Sequence, residues 1–239
     1  KDDLALRVYT SRLLGKDPSL VLHGGGNTSV KITEANLVGS KEEILYVKGS
    51  GWDLVSIEKD GFSPVRMSHM LKLSKLKALS DPQMVNELKT QLTNAASPTP
   101  SVETILHAIL PFKYVDHTHA DAVVTISNTL DGEERIREIY GNRVVIVPYV
   151  MPGFDLAKEV GRLFSEMASD ETEGMVLLNH GIFSFGSTAR KSYDRMIDLV
   201  NLAEQYLVSQ NACDNEEIVS NIKSNKIRND VSQLRQKVS

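Results

Sequence analysis

Runs of β-forming residues in this chain meet one another at glycine turns, and strands joined so tightly pair antiparallel, because a parallel pair needs a long crossover. The stretch "LVLHGGGNTSVKI" reads as a strand, a turn and a second strand. "EILYVKGSG" runs a strand into a Gly-Ser-Gly turn, and "GMVLLNHGIFSFG" reads as two strands meeting at a turn. Further strands are expected in "KYVDHTHADAVVTIS" and "RVVIVPYV". Helical spacing covers Asp3 to Leu14, Met67 to Ala78, Met84 to Thr93, Asp155 to Met167 and Thr188 to Val208. A further helix is expected from an N-cap at Ser101 to about Leu110, with Pro111 at its exit. The expectation is an α/β fold of three layers, with helices on both faces of a mixed, largely antiparallel central sheet. Residues 1–212 are read as one domain and 213–239 as a helical extension or linker.

The charge balance narrows the partners. With 239 residues and a net charge of −4, the chain has no basic footprint for nucleic acid, while a small anionic metabolite fits. The single cysteine, Cys213, excludes an intrachain disulfide framework and a cysteine-type zinc knuckle, so any metal must use His, Asp or Glu. No run approaches the roughly 20 apolar residues of a membrane span. The chain is therefore expected to be cytoplasmic, with no membrane partner.

Within this frame "VDHTHADA" stands out, because it sets two histidines into an apolar run. On a strand, His117 and His119 share a face, with Thr118 pointing oppositely. A His-x-His pair can grip one metal ion, or it can be two hydrogen-bonded imidazoles at a strand end. His180 follows an apolar strand in "LLNHGIF" and supplies a third imidazole. Three protein ligands leave the open position that a Lewis-acid metal uses. His23, His69 and His107 read as structural. Asp116 and Asp121 flank the pair, either as acceptors for imidazole N–H groups or as solvated strand-end carboxylates.

The turns "GGGNTSVK" and "KGSGWD" offer backbone N–H groups and small hydroxyls, which suits a phosphate, although hairpin geometry alone also explains such glycines. Glu103, in the first turn after Ser101, reads either as a cap or as a general base beside the metal.

In order and spacing, "GGGNTSVK", "KGSG", "PSVETILH", "DHTHAD" and "NHG" resemble the class II aldolase/adducin family, over most of the chain. The resemblance implies a three-layer aldolase-like fold and one Zn2+ per chain on His117, His119 and His180. It implies catalytic roles for Glu103 as acid/base and for Tyr149 in "VPYVMPG". It also implies a phosphate pocket of Gly26, Asn27, Ser50, Gly51 and Ser101, with Thr28 and Ser29 nearby. The reaction implied is reversible retro-aldol cleavage of a ketose 1-phosphate to dihydroxyacetone phosphate and an aldehyde. Dehydration or epimerisation of a sugar phosphate, and a non-catalytic adducin-like scaffold, are the alternatives. Family aldolases usually carry Ser-Ser-Glu where this chain has Ser101-Val102-Glu103, so one phosphate-binding hydroxyl is missing. A homo-oligomer, tetrameric by resemblance, is implied. The "PSVETILHAILPFKYVDHTHADA" block is similar to the aldolase-like half of proteins fused to a dehydrogenase, which implies a fused or downstream dehydrogenase domain.

Overall fold

The computed structural model describes residues 2–212, and the expected helical extension from residue 213 onward lies outside the described residues. Residues 2–204 form one compact unit. Helix α1 (Asp3–Gly15) is capped by the Asp2 side chain, which accepts from the Ala5 N–H. Strands β1 (Asn27–Ala35), β2 (Lys41–Lys48) and β3 (Phe62–Arg66) follow, then helices α2 (Met67–Leu73), α3 (Asp81–Thr90) and α4 (Thr104–Ile109). The middle holds β4 (Tyr114–Thr118), α5 (Asp121–Ser127), α6 (Gly132–Tyr140) and β5 (Val144–Val147). The last part comprises α7 (Phe154–Met167), β6 (Gly174–Leu177), β7 (Gly181–Gly186) and α8 (Ala189–Ser209).

One seven-stranded sheet runs in the order β3-β2-β1-β4-β7-β6-β5. Only β5 and β6 pair parallel, and the remaining neighbours are antiparallel. The mixed, largely antiparallel sheet expected from the glycine turns is the one observed. Its central strand is β4, whose five residues are all buried. Alternation gives β4 two different faces. Val115 joins the large apolar core built with Phe183, Phe185, Leu106 and Val160, on the side of α4 and α7. Tyr114 faces the other way, packing with Val30, Ala189 and Leu4 of α1. Helices thus cover both faces.

Three local readings are corrected. Leu20 to Leu22 lie in turn and irregular structure, with Leu22 exposed, and β1 begins only at Asn27. The β-rich run after Thr118 does not continue as a strand: Ala122, Val123, Ile126 and Ser127 are buried at helical spacing in α5, so packing overrode the β-branched composition. Ser101 is not the N-cap of α4, because that helix starts at Thr104 with Glu103 at the cap position. Ser101 still organises the approach, its hydroxyl accepting from the Glu103 N–H at 3.2 Å.

Candidate metal centre

The sheet's alternation assembles the site. His117 pairs across β1 with Asn27 and across β7 with Phe183, in the middle of the sheet. Its ring stacks on Phe183 at 4.1 Å between centroids, which fixes its plane. His119 lies one residue beyond the end of β4, exposed at the rim. His180 comes from the turn between β6 and β7, where Asn179 holds a left-handed φ of 58° that asparagine tolerates. The Asn179 amide donates to Asn128 Oδ1 at 2.7 Å and so pins that turn.

Two glycines allow this convergence. A Cβ on Gly181 would come within 2.4 Å of the Thr118 carbonyl and 3.1 Å of both the His117 and His119 rings. Gly26 has φ +62°, and a Cβ there would meet the His117 carbonyl at 2.7 Å. Both positions therefore require glycine.

One nitrogen from each of His117, His119 and His180 lies within 4.8 Å of the others. His117 Nδ1–H donates to the Ile182 carbonyl at 3.1 Å, which leaves Nε2 with its lone pair facing His119. That Nε2 lies 3.1 Å from His119 Nε2, close to the roughly 3.3 Å that two imidazole ligands adopt on a tetrahedral ion with bonds of about 2.0–2.1 Å. Burial lowers the pKa of all three: His117 well below the usual imidazole range, His119 below it, and His180 to about 4. His119 and His180 add repulsion at His117. All three imidazoles are thus neutral at pH 7, the form that binds a metal.

Glu103 completes the cluster. At the cap position of α4 its side chain makes no capping hydrogen bond. It turns instead towards the imidazoles, with Oε2 3.6 Å from His117 Nε2 and Oε1 3.7 Å from His180 Nε2. Those separations are too long for hydrogen bonds. Asn27 Nδ2 holds Oε2 at 2.6 Å, while buried Oε1 has no partner. His180 Nδ1 is also buried and unpartnered. Burial raises the Glu103 pKa to about 7, with the Asn27 hydrogen bond and Lys48 pulling the other way. Unpaired buried polar atoms cost about 1–3 kcal/mol each. Adjacent Val115, Phe183 and Phe185, fully buried, contribute about 1.5–3 kcal/mol apiece and offset that cost. A tetrahedral cation with three neutral imidazoles and a neighbouring carboxylate fits this donor set.

A cavity of about 380 Å3 opens beside the cluster, lined by Gly24 to Asn27, Lys48 to Gly51, Ser101 to Glu103, His119, Pro152 and His180. Larger cavities of about 660 and 700 Å3 lie elsewhere, but neither touches the histidines. Of the phosphate residues expected, Gly26, Asn27, Ser50, Gly51 and Ser101 line this cavity; Thr28 and Ser29 do not. The Thr28 hydroxyl faces α1 and lies 2.8 Å from Ser11 Oγ, and the Ser29 hydroxyl is 2.8 Å from His107 Nδ1 beneath the site. Tyr149 also lies outside the lining, 54% exposed, its hydroxyl 3.8 Å from Met151 Sδ. Asp116, neither solvated nor an acceptor for the imidazoles, is fully buried against Arg7 on the opposite face of the sheet.

Two participants escaped the sequence reading. His107 is fully buried, its Nε2–H donating to Asn27 Oδ1 while its Nδ1 accepts from Ser29. It therefore holds the amide that holds Glu103. The signal was present in "ETILH", where His107 lies four residues after Glu103 on one helical face. Lys48 is the other, a lysine that ends β2 directly after the run Ile44 to Val47. His23 and His69 stay outside the cluster, His69 pairing with Glu87 at 2.7 Å.

The sequence matches the Class II Aldolase and Adducin N-terminal domain over residues 5–207. It is 40% identical over 201 residues to the "Uncharacterized oxidoreductase YuxG" of Bacillus subtilis (strain 168), a match covering 84% of this chain and 29% of that protein. It is also similar to the N-terminal class II aldolase domain of a conserved protein from Thermoplasma acidophilum. That likeness has 46% identity and a TM-score of 0.81, covering 87% of this chain and 94% of the other. A sugar-phosphate aldolase from Thermotoga maritima shares the fold at 16% identity, with a TM-score of 0.63 over 88% of this chain and 96% of that one. Over nearly its whole described length, then, this chain belongs to the class II aldolase and adducin N-terminal domain family.

Proposed function

We propose that the domain is a zinc-dependent aldolase that cleaves a ketose 1-phosphate reversibly to dihydroxyacetone phosphate and an aldehyde. The observation that carries this reading is the position of Glu103, buried among three neutral imidazoles with one oxygen held by Asn27 and the other unpaired. His117, His119 and His180 are the ligands in this reading. A divalent ion held there supplies Lewis acidity, polarising the substrate's carbonyl and hydroxyl oxygens and stabilising negative charge that develops on them.

The protein's own groups do the rest. In cleavage the C3–C4 bond breaks, the C4 hydroxyl gives its proton to solvent water as the aldehyde forms, and the electron pair stays with C3. Glu103 then delivers a proton to C3 from Oε1, the oxygen that Asn27 leaves free. In synthesis the same oxygen removes that proton. Gly26, Asn27, Ser50, Gly51 and Ser101 line the cavity in which the phosphate sits. Tyr149 does not line its own chain's cavity; in a homo-oligomer it serves as proton donor in a neighbouring copy's site. The likeness to a sugar-phosphate aldolase from Thermotoga maritima supports the substrate class. The Bacillus subtilis relative is named an oxidoreductase, and this chain spans 29% of its length. That name supports a dehydrogenase domain fused to or downstream of this one. Among the described residues no helix is long and apolar enough to cross a membrane, which is compatible with the cytoplasmic assignment.

The experiment is product analysis with fuculose 1-phosphate and rhamnulose 1-phosphate. Chelator-sensitive release of dihydroxyacetone phosphate is expected. A product that keeps all six carbons would replace cleavage by dehydration or epimerisation, and no product from a metal-loaded protein would favour the scaffold.

A further inference from the structure

The stretch "GGGNTSVK" lines the cavity with its glycines and Asn27, yet the strand it opens carries further polar groups that the chemistry above leaves unused. Along β1, Asn27, Ser29 and Lys31 alternate with Thr28, Val30 and Ile32, so the two sets face opposite sides of the sheet. Thr28 lies against Ser11 of α1, and Val30 packs with Tyr114 and Ala189. The other set faces α4. The Asn27 amide holds Glu103 Oε2 at 2.6 Å where that helix begins, and Ser29 Oγ lies 2.8 Å from His107 Nδ1 midway along it. At the far end the Lys31 ammonium donates to the Ala108 carbonyl at 3.1 Å and to the Leu110 carbonyl. One face of one strand thus grips α4 along its whole length.

Helix α4 needs such a grip. It has only six residues, and a helix that short is unstable in water on its own. Its C-terminal end also lacks a donor, because Pro111 stands where the N–H to the His107 carbonyl would be, and Leu110 already leaves the helix with an extended backbone. The last carbonyls carry the negative end of the helix dipole, which a lysine ammonium caps well. Lys31 comes from β1 rather than from the helix's own last turn, so it fixes where α4 ends relative to the sheet. Its charge also acts on the middle of the helix, adding to burial in keeping His107 unprotonated. Neutral His107 accepts from Ser29 at Nδ1 while its Nε2–H donates to Asn27. Sliding of α4 along its axis, which would carry Glu103 away from the imidazoles, is therefore opposed at both ends.

We propose that Lys31 is a positioning residue for the acid/base step: by tying the C-terminal carbonyls of α4 to β1, it sets the distance of Glu103 from His117 and His180. This role rests on Glu103 being the acid/base. Lys31 does not line the cavity beside the histidines, so it acts through the helix and not on the substrate.

The test compares zinc-loaded wild type, Lys31→Met and Lys31→Arg by cleavage of fuculose 1-phosphate and rhamnulose 1-phosphate and by amide hydrogen exchange. Lys31→Met is expected to lower kcat about 10-fold with KM within about 2-fold of wild type. Exchange should quicken at residues 104–110 while β4 and β7 keep their protection. Lys31→Arg keeps the charge and the donors, and the adjoining cavity of about 660 Å3 has room for its extra length; it should restore both readouts to within a few-fold of wild type. Wild-type kcat in Lys31→Met would overturn the proposal, as would a loss carried by KM, or a loss that Lys31→Arg shares in full. Should Lys31→Met fail to fold, Lys31→Gln, which keeps an amide donor without the charge, takes its place with the same outcomes. If wild type cleaves neither sugar phosphate, the aldolase reading falls and exchange decides: faster exchange confined to α4 keeps Lys31 as the anchor of that helix, and unchanged exchange removes it. Cleavage by wild type with unchanged kcat and exchange in Lys31→Met would remove the anchor and leave the aldolase reading standing.

Discussion

Asp116 and His117 are neighbours in one strand, yet they belong to polar clusters of opposite character on opposite faces of the sheet. On the α1 side, Asp116 Oδ1 lies against Arg7 Nη2 and Oδ2 accepts from the Ser192 hydroxyl at 2.5 Å. Arg7 also donates to Thr10 at 2.6 Å, to Ser11 at 3.2 Å, and to the Ser29 and Val115 carbonyls at 3.4 Å. Every charge there has found a partner within the protein. On the α4 side, the cluster of His117, His180 and Glu103 is nearly as buried but leaves Glu103 Oε1 and His180 Nδ1 unpaired beside a cavity. A polar cluster that closes on itself holds a fold together. One that stays open at a cavity is arranged for something from outside the chain.

The largest effect that would sharpen this contrast is catalytic. Glu103→Gln removes the proton carrier but keeps the shape, so turnover should fall by about 10²–10⁴-fold while metal content is unchanged. Folding stability should hold or rise, because a buried group with no ionised partner loses its charge. Retained turnover would take Glu103 out of the mechanism.

The matching change on the closed face should act on folding instead. Asp116→Ala strands the fully buried Arg7 guanidinium, and chemical denaturation should show a loss of about 3–5 kcal/mol. A loss under about 1 kcal/mol, what an exposed ion pair gives, would mean that this cluster is not closed as described.

A smaller effect is expected from His107→Gln, which loosens Asn27 without touching substrate. It should lower kcat about 10-fold with the metal retained, since an orienting partner is commonly worth that much, and leave KM near wild type. The same variant has a pH signature. Burial, with Lys31 and Arg7 adding to it, lowers the His107 pKa to about 3. The folded state therefore resists a proton that the unfolded chain takes up near 6.5. Wild-type stability should be full above pH 6.5 and decline as the pH falls from there towards 3. In His107→Gln that part of the decline should disappear, and an unaltered stability profile would contradict the neutral buried imidazole.

How much of this the sequence could disclose depended on whether the signal was local. The alternation that places His117 on the opposite face from Asp116 and Thr118 is local, and so is the turn that presents His180; both were legible. The same alternation separates Thr28 from Asn27, but grouping these residues by their glycine turn obscured it. Val123, Val124, Thr125 and Ile126 look like a strand because β-branched residues favour one. Their burial spacing becomes decisive only once the sheet's neighbours are known. Lys48 and His107 were hidden for another reason. A lysine is solvated and a helical histidine is structural in most proteins, and only their placement beside Ser50 and Asn27 sets these two apart.

The most direct measurement of the central claim, that the open cluster holds a metal, is elemental analysis of the purified protein beside His119→Ala. About one zinc ion is expected per wild-type chain, since the three imidazoles offer one tetrahedral site, with loss of that ion in the variant. Full occupancy in His119→Ala, or a folded wild type that binds no divalent ion even when zinc is supplied, would contradict it.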